Sequence, residues 1–223
     1  MSLIKLENVY KEYKDVNSSF LALKDINLEI KKNELVILEG ISGSGKSTLL
    51  SIIGGIDFPT QGKVEVDGKI ISKLPDYHLS KFRNKTIGFV FQHFNLIDNL
   101  SLLDNILMPL VVAKENLKDA IKRAKEIAKI LKIDTKLKVE VKRLSGGEKQ
   151  RGAIARALIN NASIILFDEP TANLDRDNSL NFLEILKELK SMGKTIIVAT
   201  HDPIFNKLDS IRKVKIENGQ IVK

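Results

Sequence analysis

LVILEGISGSGKSTLL, Leu35 to Leu50, is the stretch whose reading decides the fold. Leu35 to Glu39 is a short apolar run of strand character, Gly40 to Gly45 is rich in glycine and serine, and a helix is expected from Lys46 onward. Strand, glycine loop and helix, in that order, are what a phosphate-binding loop requires. Gly40-Ile41-Ser42-Gly43-Ser44-Gly45-Lys46-Ser47 fits the spacing G-x-x-x-x-G-K-[ST]. The glycines let the backbone wrap closely round an anion, and the N–H groups of the turn and of the helix start point at it. Lys46 is placed to reach the β- and γ-phosphates of a nucleoside triphosphate, and the Ser47 hydroxyl to ligate Mg2+. A glycine-rich turn without a ligand is the plain alternative, and the strand before and the helix after weigh against it.

The other half of such a site is an acid at the end of a buried strand. Ile164-Ile165-Leu166-Phe167-Asp168-Glu169 supplies it. A carboxylate at the carboxyl end of a parallel strand lies on the edge where open α/β sheets bind ligands. Asp168 is expected to hold the metal, mainly through water, and Glu169 to orient or deprotonate the attacking water. Alone, an apolar run ending in two acids is weak, since many strands end in surface acids. Beside the glycine loop it carries weight. His201 follows the apolar run Thr195–Ala199 in TIIVATHD. A lone histidine after a strand is usually structural, but this position lies near the same edge, where a ring nitrogen could reach the γ-phosphate and the water. Gln92, after Ile87–Phe91, falls at this edge too. Its amide could touch Mg2+ or water, or it could be an ordinary turn residue. An adenine needs a flat apolar face, which Tyr13 or Tyr10 could offer, and chemistry alone does not separate them.

Further along, RLSGGEKQRGAIARAL (Arg143–Leu158) places a serine and two glycines directly ahead of a helix. That is a second helix start suited to an anion. Around these motifs, residues 3–13 and 20–30 alternate as strands. Asp67-Gly68 and Asn218-Gly219 mark hairpin turns. From about 95 to 150 the texture turns helical, with Leu117, Ile121, Ala124, Ala128 and Leu131 as one apolar stripe on a charged helix. Leu180, Leu183, Leu186 and Leu189 mark another helix, closed by Gly193. Strands alternating with helices at both ends of a helical block imply an α/β core with a helical insertion and antiparallel strands on its flank.

Bulk composition narrows the function classes. The chain has 223 residues, the size of one large domain, and no cysteine, so disulfides and cysteine chemistry drop out. Its 36 basic and 28 acidic residues leave a formal charge of +8. The two signs interleave, as in KENLKDAIKRAKEIAKILK, like a solvated helix face, so nucleic-acid binding is not expected. The N-terminus lacks a signal-peptide run, and the longest apolar stretches are far short of a bilayer span.

GISGSGKS, Gln92 in FVFQHFN, LSGGEKQR, IILFDEP, ANLD and His201 in ATHD occur in the order of the ABC ATPase family. Over essentially its whole length the chain resembles a nucleotide-binding subunit of an ABC transporter. LSGGE is the most discriminating motif, since the phosphate loop is shared by many NTPases. The resemblance implies a P-loop NTPase core with a mixed, largely parallel sheet, an antiparallel β flank and an inserted helical subdomain. Residues 1–94 and 155–223 would form the core and about 95–154 the helical lobe. It implies ATP and Mg2+ as ligands, with Tyr13, Gly40, Ile41, Ser42, Gly43, Ser44, Gly45, Lys46, Ser47, Thr48 and Gln92 around ATP. Ser47, Gln92 and Asp168 would surround the metal, and Lys46, Glu169 and His201 would do the chemistry. Tyr13 matches the family's adenine-stacking position better than Tyr10.

In this family two copies stack head to tail, so that Ser145, Gly146, Gly147 and Glu148 would complete the site of a partner copy, with Asp175 at the seam. The working dimer would be a homodimer in the ATP-bound state, or a pair with a paralogue. A separate transmembrane permease would dock on the helical block and the Gln92 segment, with Leu96, Ile97 and Leu100 as contacts, and would place the chain in the cytoplasm on the inner face of the cell membrane. FVFQHFNLIDNLSLLDNILMPL resembles the branch that serves lipoprotein release, macrolide or antimicrobial-peptide export, and cell division. The alternative function is therefore a non-transport ATPase that gates cell-wall hydrolysis through a membrane partner. Repair or translation ABC proteins carry coiled coils, zinc modules or fused ATPase pairs, none of which is visible here. Two departures stand out. Ile41 replaces a common proline. Gly152 lies inside the signature helix, where relatives usually carry a branched apolar residue. It would cost about 1 kcal/mol of helix propensity and leave less to pack.

Overall fold

A computed structural model describes residues 2–15, 18–111, 115–209 and 211–222. Residues 112–114, inside the expected helical block, lie outside the described residues. In chain order the strands and α-helices are β1 (Ser2–Asp15), β2 (Ser18–Lys31), β3 (Leu35–Glu39), α1 (Lys46–Ile53), β4 (Gln61–Val66), β5 (Lys69–Ile70), α2 (Asp76–Thr86), β6 (Ile87–Val90), α3 (Leu102–Leu107), α4 (Leu117–Ile130), α5 (Gly146–Leu158), β7 (Ile164–Asp168), α6 (Arg176–Ser191), β8 (Thr195–Thr200), β9 (Arg212–Glu217) and β10 (Gln220–Val222).

The strands form two sheets. One is an antiparallel flank in the order β2-β1-β4-β5; the other has six strands in the order β10-β9-β3-β8-β7-β6. In the second sheet β9, β3, β8, β7 and β6 are parallel, and only β10 returns antiparallel, through the Asn218-Gly219 turn. β7 and β8 are nearly all apolar because both faces of this sheet are covered. Alternate residues serve two cores. Val36, Leu38, Ile164, Leu166 and Ile197 join Leu49, Leu50 and Ile53 of α1 and the inner face of the antiparallel flank. Leu35, Ile37, Ile165, Phe167, Ile196 and Val198 turn the other way, toward Phe182, Leu183 and Leu186 of α6 and toward the helices of the lobe. The α/β core with an antiparallel flank and a helical block is the expected architecture.

Three local expectations shift. On α4 the buried residues are Ala120, Ala124, Ile127 and Ala128, while Leu117 is 64% exposed. The Asn116 side chain accepts from the Lys118 N–H at 2.9 Å and caps the helix. That makes Leu117 the first helical residue, off the end of the packed face. On α6 the residue that anchors the core is Phe182, fully buried against Phe167 and Phe205, whereas Leu180 is half-buried. α5 runs unbroken from residue 146 to 158. It packs on α3, α4 and β6, and residue 154, the expected end of the helical lobe, lies inside it.

Gly152 has a packing reason, and the expectation that it leaves the helix less to pack is corrected. A Cβ there would lie 2.4 Å from Leu102 Cδ1 and 3.7 Å from Leu96 Cδ1. Leu102 is fully buried and fills the space that a side chain at 152 would need. Gly152→Val is therefore expected to lower stability by about 1–3 kcal/mol through overpacking. Thermal unfolding of Gly152→Val and of the pair Gly152→Val/Leu102→Ala checks this, the second change recovering part of the loss.

Candidate active site

The parallel strand order decides what meets at the site. β8 lies between β3 and β7, and their carboxyl ends are level: Glu39 is opposite Thr200, and Asp168 is opposite Ala199. The chain leaves β3 into the glycine loop, β7 into Glu169 and β8 into His201, so three loops from distant sequence converge on one edge. β6, next to β7, delivers Gln92 to the same edge.

The glycine loop closes on itself through Lys46. Its ammonium group donates to the carbonyls of Gly40 at 2.8 Å and Ile41 at 2.9 Å, and stands 3.6 Å from Glu169 Oε1. Lys46 is only 4% exposed, so a strong positive charge is held under the loop in a site of low dielectric. Gly45 takes φ +107°, and a Cβ there would meet the Ala22 carbonyl at 2.7 Å, so the turn into α1 admits only glycine. The Ser44 hydroxyl is buried with no hydrogen-bond partner. An orphaned hydroxyl in a loop of N–H donors, over a buried ammonium, fits a phosphate chain.

Ser47 Oγ donates to Asp168 Oδ1 at 2.8 Å. Burial pushes the Asp168 carboxyl above its ordinary range, and neighbouring Glu169 adds to this, while the Ser47 hydrogen bond and Lys46 act against it. A divalent cation would relieve that stress, and a hydroxyl plus a carboxylate is a partial set of hard oxygen ligands. Among the described residues there is no cluster of three or more His, Asp or Glu side chains that could hold a metal unaided.

Glu169 sits at φ +43°, a strained position for a non-glycine residue. Its N–H donates to the Ala199 carbonyl at 2.9 Å, which pins the turn to β8. Its side chain, 12% exposed, then reaches His201 Nδ1 at 3.0 Å as well as Lys46. The three residues expected to do chemistry therefore meet at one carboxylate oxygen. Gln92 is exposed, and its carbonyl accepts from Asn173 Nδ2 at 2.9 Å. Gly40 and Ile41 also border a cavity of about 620 Å3 that extends to His201 and Lys213.

Tyr13 is at the far end of β1, with its hydroxyl 2.9 Å from Asp57 Oδ2. Burial raises its pKa, and the Asp57 hydrogen bond raises it further, while a hydrogen bond with Thr48 of α1 works the other way. Its ring is thus tied to the helix that carries Lys46. Tyr10 uses its carbonyl to accept from the Thr60 N–H at 2.8 Å, in the loop before β4.

Ser145 caps α5. Its hydroxyl accepts from the Glu148 N–H at 3.3 Å, and its own N–H donates to Glu148 Oε2 at 2.8 Å, a reciprocal capping box. The Ser145 N–H and Lys136, 3.1 Å away, hold the Glu148 carboxyl below its ordinary range. Ser145 and Gly146 are exposed, while Gly147 is buried against Asn178. The close neighbours of Gly146 are Asn173 and Leu174, not the glycine loop, so the two anion-type helix starts stay apart within one chain. Asp175 caps α6: Oδ1 accepts from the Asn178 N–H and Oδ2 from Asn178 Nδ2, both at 2.8 Å.

The structure adds residues that motif reading passed over. Gln150 is 1% exposed and donates to the Pro170 carbonyl at 2.7 Å, tying α5 to the segment after Glu169. Its signal is an amide at a helix-periodic buried position, in step with Gly147 and Ile154. Thr171 Oγ1 donates to Asp202 Oδ2 at 2.6 Å. With Asn173 on Gln92, residues 170–173 therefore touch the Gln92 loop, the His201 loop and α5.

Comparison with known proteins agrees with this geometry. Residues 23–172 match the ABC transporter family. The lipoprotein-releasing system ATP-binding protein LolD of Buchnera aphidicola is 39% identical over 224 residues, covering 98% of this chain and 96% of that protein. The macrolide export ATP-binding/permease protein MacB of Campylobacter fetus is 44% identical across 99% of this chain, which spans 34% of MacB. A dimeric post-hydrolysis structure of the ATP-binding cassette MJ0796, bound to ADP and Pi, superposes with a TM-score of 0.90 at 41% identity, covering 99% of this chain and 97% of that one. A phosphate loop over a buried lysine, an acid pair at the end of β7 and a capped LSGGE helix therefore have one common reading: the chain belongs to the ABC transporter family and is its ATP-binding, ATP-hydrolysing subunit.

Proposed function

We propose that this chain is the ATPase motor of a membrane export or lipoprotein-release system, working as a head-to-tail pair on a separate permease. The meeting of Lys46, Glu169 and His201 at one carboxylate oxygen is the observation that carries the catalytic part of this reading. The N–H groups of residues 41–47 and the Lys46 ammonium take the β- and γ-phosphates, which displace Lys46 from the Gly40 and Ile41 carbonyls. Mg2+, when bound, neutralises developing charge on the phosphates, and Ser47 and Asp168, with Gln92, are the residues that would hold it. Glu169 takes the proton of a water whose oxygen attacks the γ-phosphorus as the bond to ADP breaks. His201 orients Glu169 and the γ-phosphate. Tyr13 stacks on the adenine.

Ser145, Gly146 and Gly147 serve the partner's nucleotide. Ser145 spends its acceptor on the cap but keeps its hydroxyl proton to donate. The start of α5 is positive. Glu148 holds the cap and Asp175 fixes the start of α6 at the seam. The dimeric MJ0796 cassette supports the pairing. The relatives are lipoprotein-release and macrolide-export proteins, which favours transport over the gating of cell-wall hydrolysis.

The described residues contain no helix long and apolar enough to cross a membrane, and in this reading the transport path belongs to the permease. A groove of about 600 Å3 on the seam of the two lobes, lined by Tyr77, Phe89, Pro109, Arg156 and Asn160, suits a cytoplasmic helix of that chain. Arg156 also donates to the Phe94 and Asn95 carbonyls, which links the groove to the Gln92 segment. Leu96 is packed inward, whereas Ile97 is 48% exposed beside this segment. Membrane flotation of the chain with its permease tests the reading. The native chain is expected to float with the membranes, and Tyr77→Glu to shift it to the soluble fraction. A native chain that never floats, or a variant that floats equally well, would contradict it.

A further inference from the structure

Tyr13 is an exposed residue at a strand end, yet its ring is not free to turn. Its hydroxyl donates to Asp57 Oδ2 at 2.9 Å. The other oxygen, Oδ1, accepts from Lys11 Nζ at 2.6 Å and from the Phe58 N–H at 2.7 Å. Lys11 Nζ donates as well to the Phe58 carbonyl at 2.9 Å, and it stands 4.7 Å from the centroid of the Tyr13 ring. The Ile56 and Asp57 N–H groups both donate to the Ser51 carbonyl, at 2.8 and 3.2 Å, so the loop that carries Asp57 is bolted to the end of α1. The ion pair is largely shielded, with the Lys11 side chain 12% and the Asp57 side chain 29% exposed. An exposed ion pair is worth little, but one this sheltered, with both carboxylate oxygens engaged, fixes geometry.

We infer that Asp57 and Lys11 are positioning residues for the nucleotide base: they hold the Tyr13 ring as a preset shelf, rigidly referred to the helix that grips the phosphates. This rests on the reading of Tyr13 as the adenine-stacking residue. The ammonium of Lys11 covers one face of the ring, which assigns the opposite face to the base. Tyr13 is paired across the hairpin with Phe20, which is 62% exposed and shares its face of the sheet. A ring ordered before the base arrives loses less freedom on binding, so the clamp acts on affinity for the base-bearing ligand. α1 carries Lys46 at its start and the Ser51 anchor of Asp57 near its end, so base shelf and phosphate grip share one rigid element.

The test is calorimetry of the full chain with Mg-ATP and, separately, with Mg-tripolyphosphate, which has the phosphates and no base. Asp57→Ala is expected to weaken ATP binding about tenfold, the worth of a hydrogen bond to a charged group, and to leave tripolyphosphate binding unchanged. In turnover the loss falls on KM rather than kcat. Asp57→Asn, which keeps an acceptor for the phenol, recovers part of it. Asp57→Ala/Tyr13→Ala should be no worse than Tyr13→Ala alone. Tyr13→Phe keeps the Lys11–Asp57 pair and the ring, so it isolates the phenol link without disturbing the loop, and it too should weaken ATP alone. Native ATP affinity in Asp57→Ala or in Tyr13→Phe overturns the clamp while leaving the shelf standing. Equal losses for ATP and tripolyphosphate overturn it in favour of a supporting role for Asp57 in α1. Native ATP affinity in Tyr13→Ala overturns the clamp and the shelf together.

Discussion

Glu169→Gln is expected to stop ATP turnover, by about a hundredfold to ten-thousandfold, while ATP still binds. The amide has nearly the same size and can still accept from His201 and face Lys46, so the loop geometry survives. What it loses is the capacity to accept a proton from water. Glu169 is one of the few groups around Lys46 that can do so. Asp168, next in the chain, is engaged by Ser47 at 2.8 Å, and His201 touches Glu169 instead of standing free of it. With the proton acceptor removed and the phosphate grip intact, ATP accumulates in the bound state. A pair held together by ATP then persists instead of separating. Steady-state phosphate release measures the first effect and nucleotide retention the second. Turnover at the native rate would remove Glu169 from its role.

Ser145→Arg is expected to produce the same combination of binding without turnover by another route. The single chain binds ATP with native affinity, because the glycine loop lies in the other lobe and none of its residues contacts Ser145. Turnover nevertheless falls to background. The arginine removes the capping hydroxyl from α5, costing about 1 kcal/mol, and puts a long side chain where a partner's γ-phosphate must approach. The cap loss is too small to unfold the chain, since the buried face of α5 packs against α3, α4 and β6. Binding and turnover therefore separate in this variant, as they do in Glu169→Gln, but for a different reason: here the pair never closes. A fluorescent ATP analogue measures the first quantity and phosphate release the second.

The site's strand ends were legible in sequence because each of their residues is local to a strand that ends there. LVILE before the glycines, IILFDE and TIIVATH each announce a buried strand and its terminal chemistry. What sequence does not carry is which side chains from distant segments share an atom. Glu169 Oε1 meeting both Lys46 and His201 depends on β8 lying between β3 and β7, a matter of strand order. Tyr13 and Tyr10 are alternatives on chemistry, and the bond that holds the Tyr13 hydroxyl comes from Asp57, 44 residues away. The Gly152 departure looked like a weakness of α5 because its complement, Leu102, lies on another helix. The apolar stripe on α4 was read from Leu117, which is the first helical residue and is exposed, whereas the packed face runs through Ala120, Ala124, Ile127 and Ala128. Motif chemistry survives a one-dimensional reading; packing partners do not.

The central claim is that LSGGE of one chain completes the nucleotide site of another. Sedimentation of Glu169→Gln and of Glu169→Gln/Ser145→Arg, each with and without Mg-ATP, tests it most directly. The account predicts a dimer for the first only when Mg-ATP is present, with ATP retained by both chains, and a monomer for the second under all conditions, with ATP bound when Mg-ATP is present. Dimers of both variants, or a dimer of Glu169→Gln that forms without ATP, would contradict it.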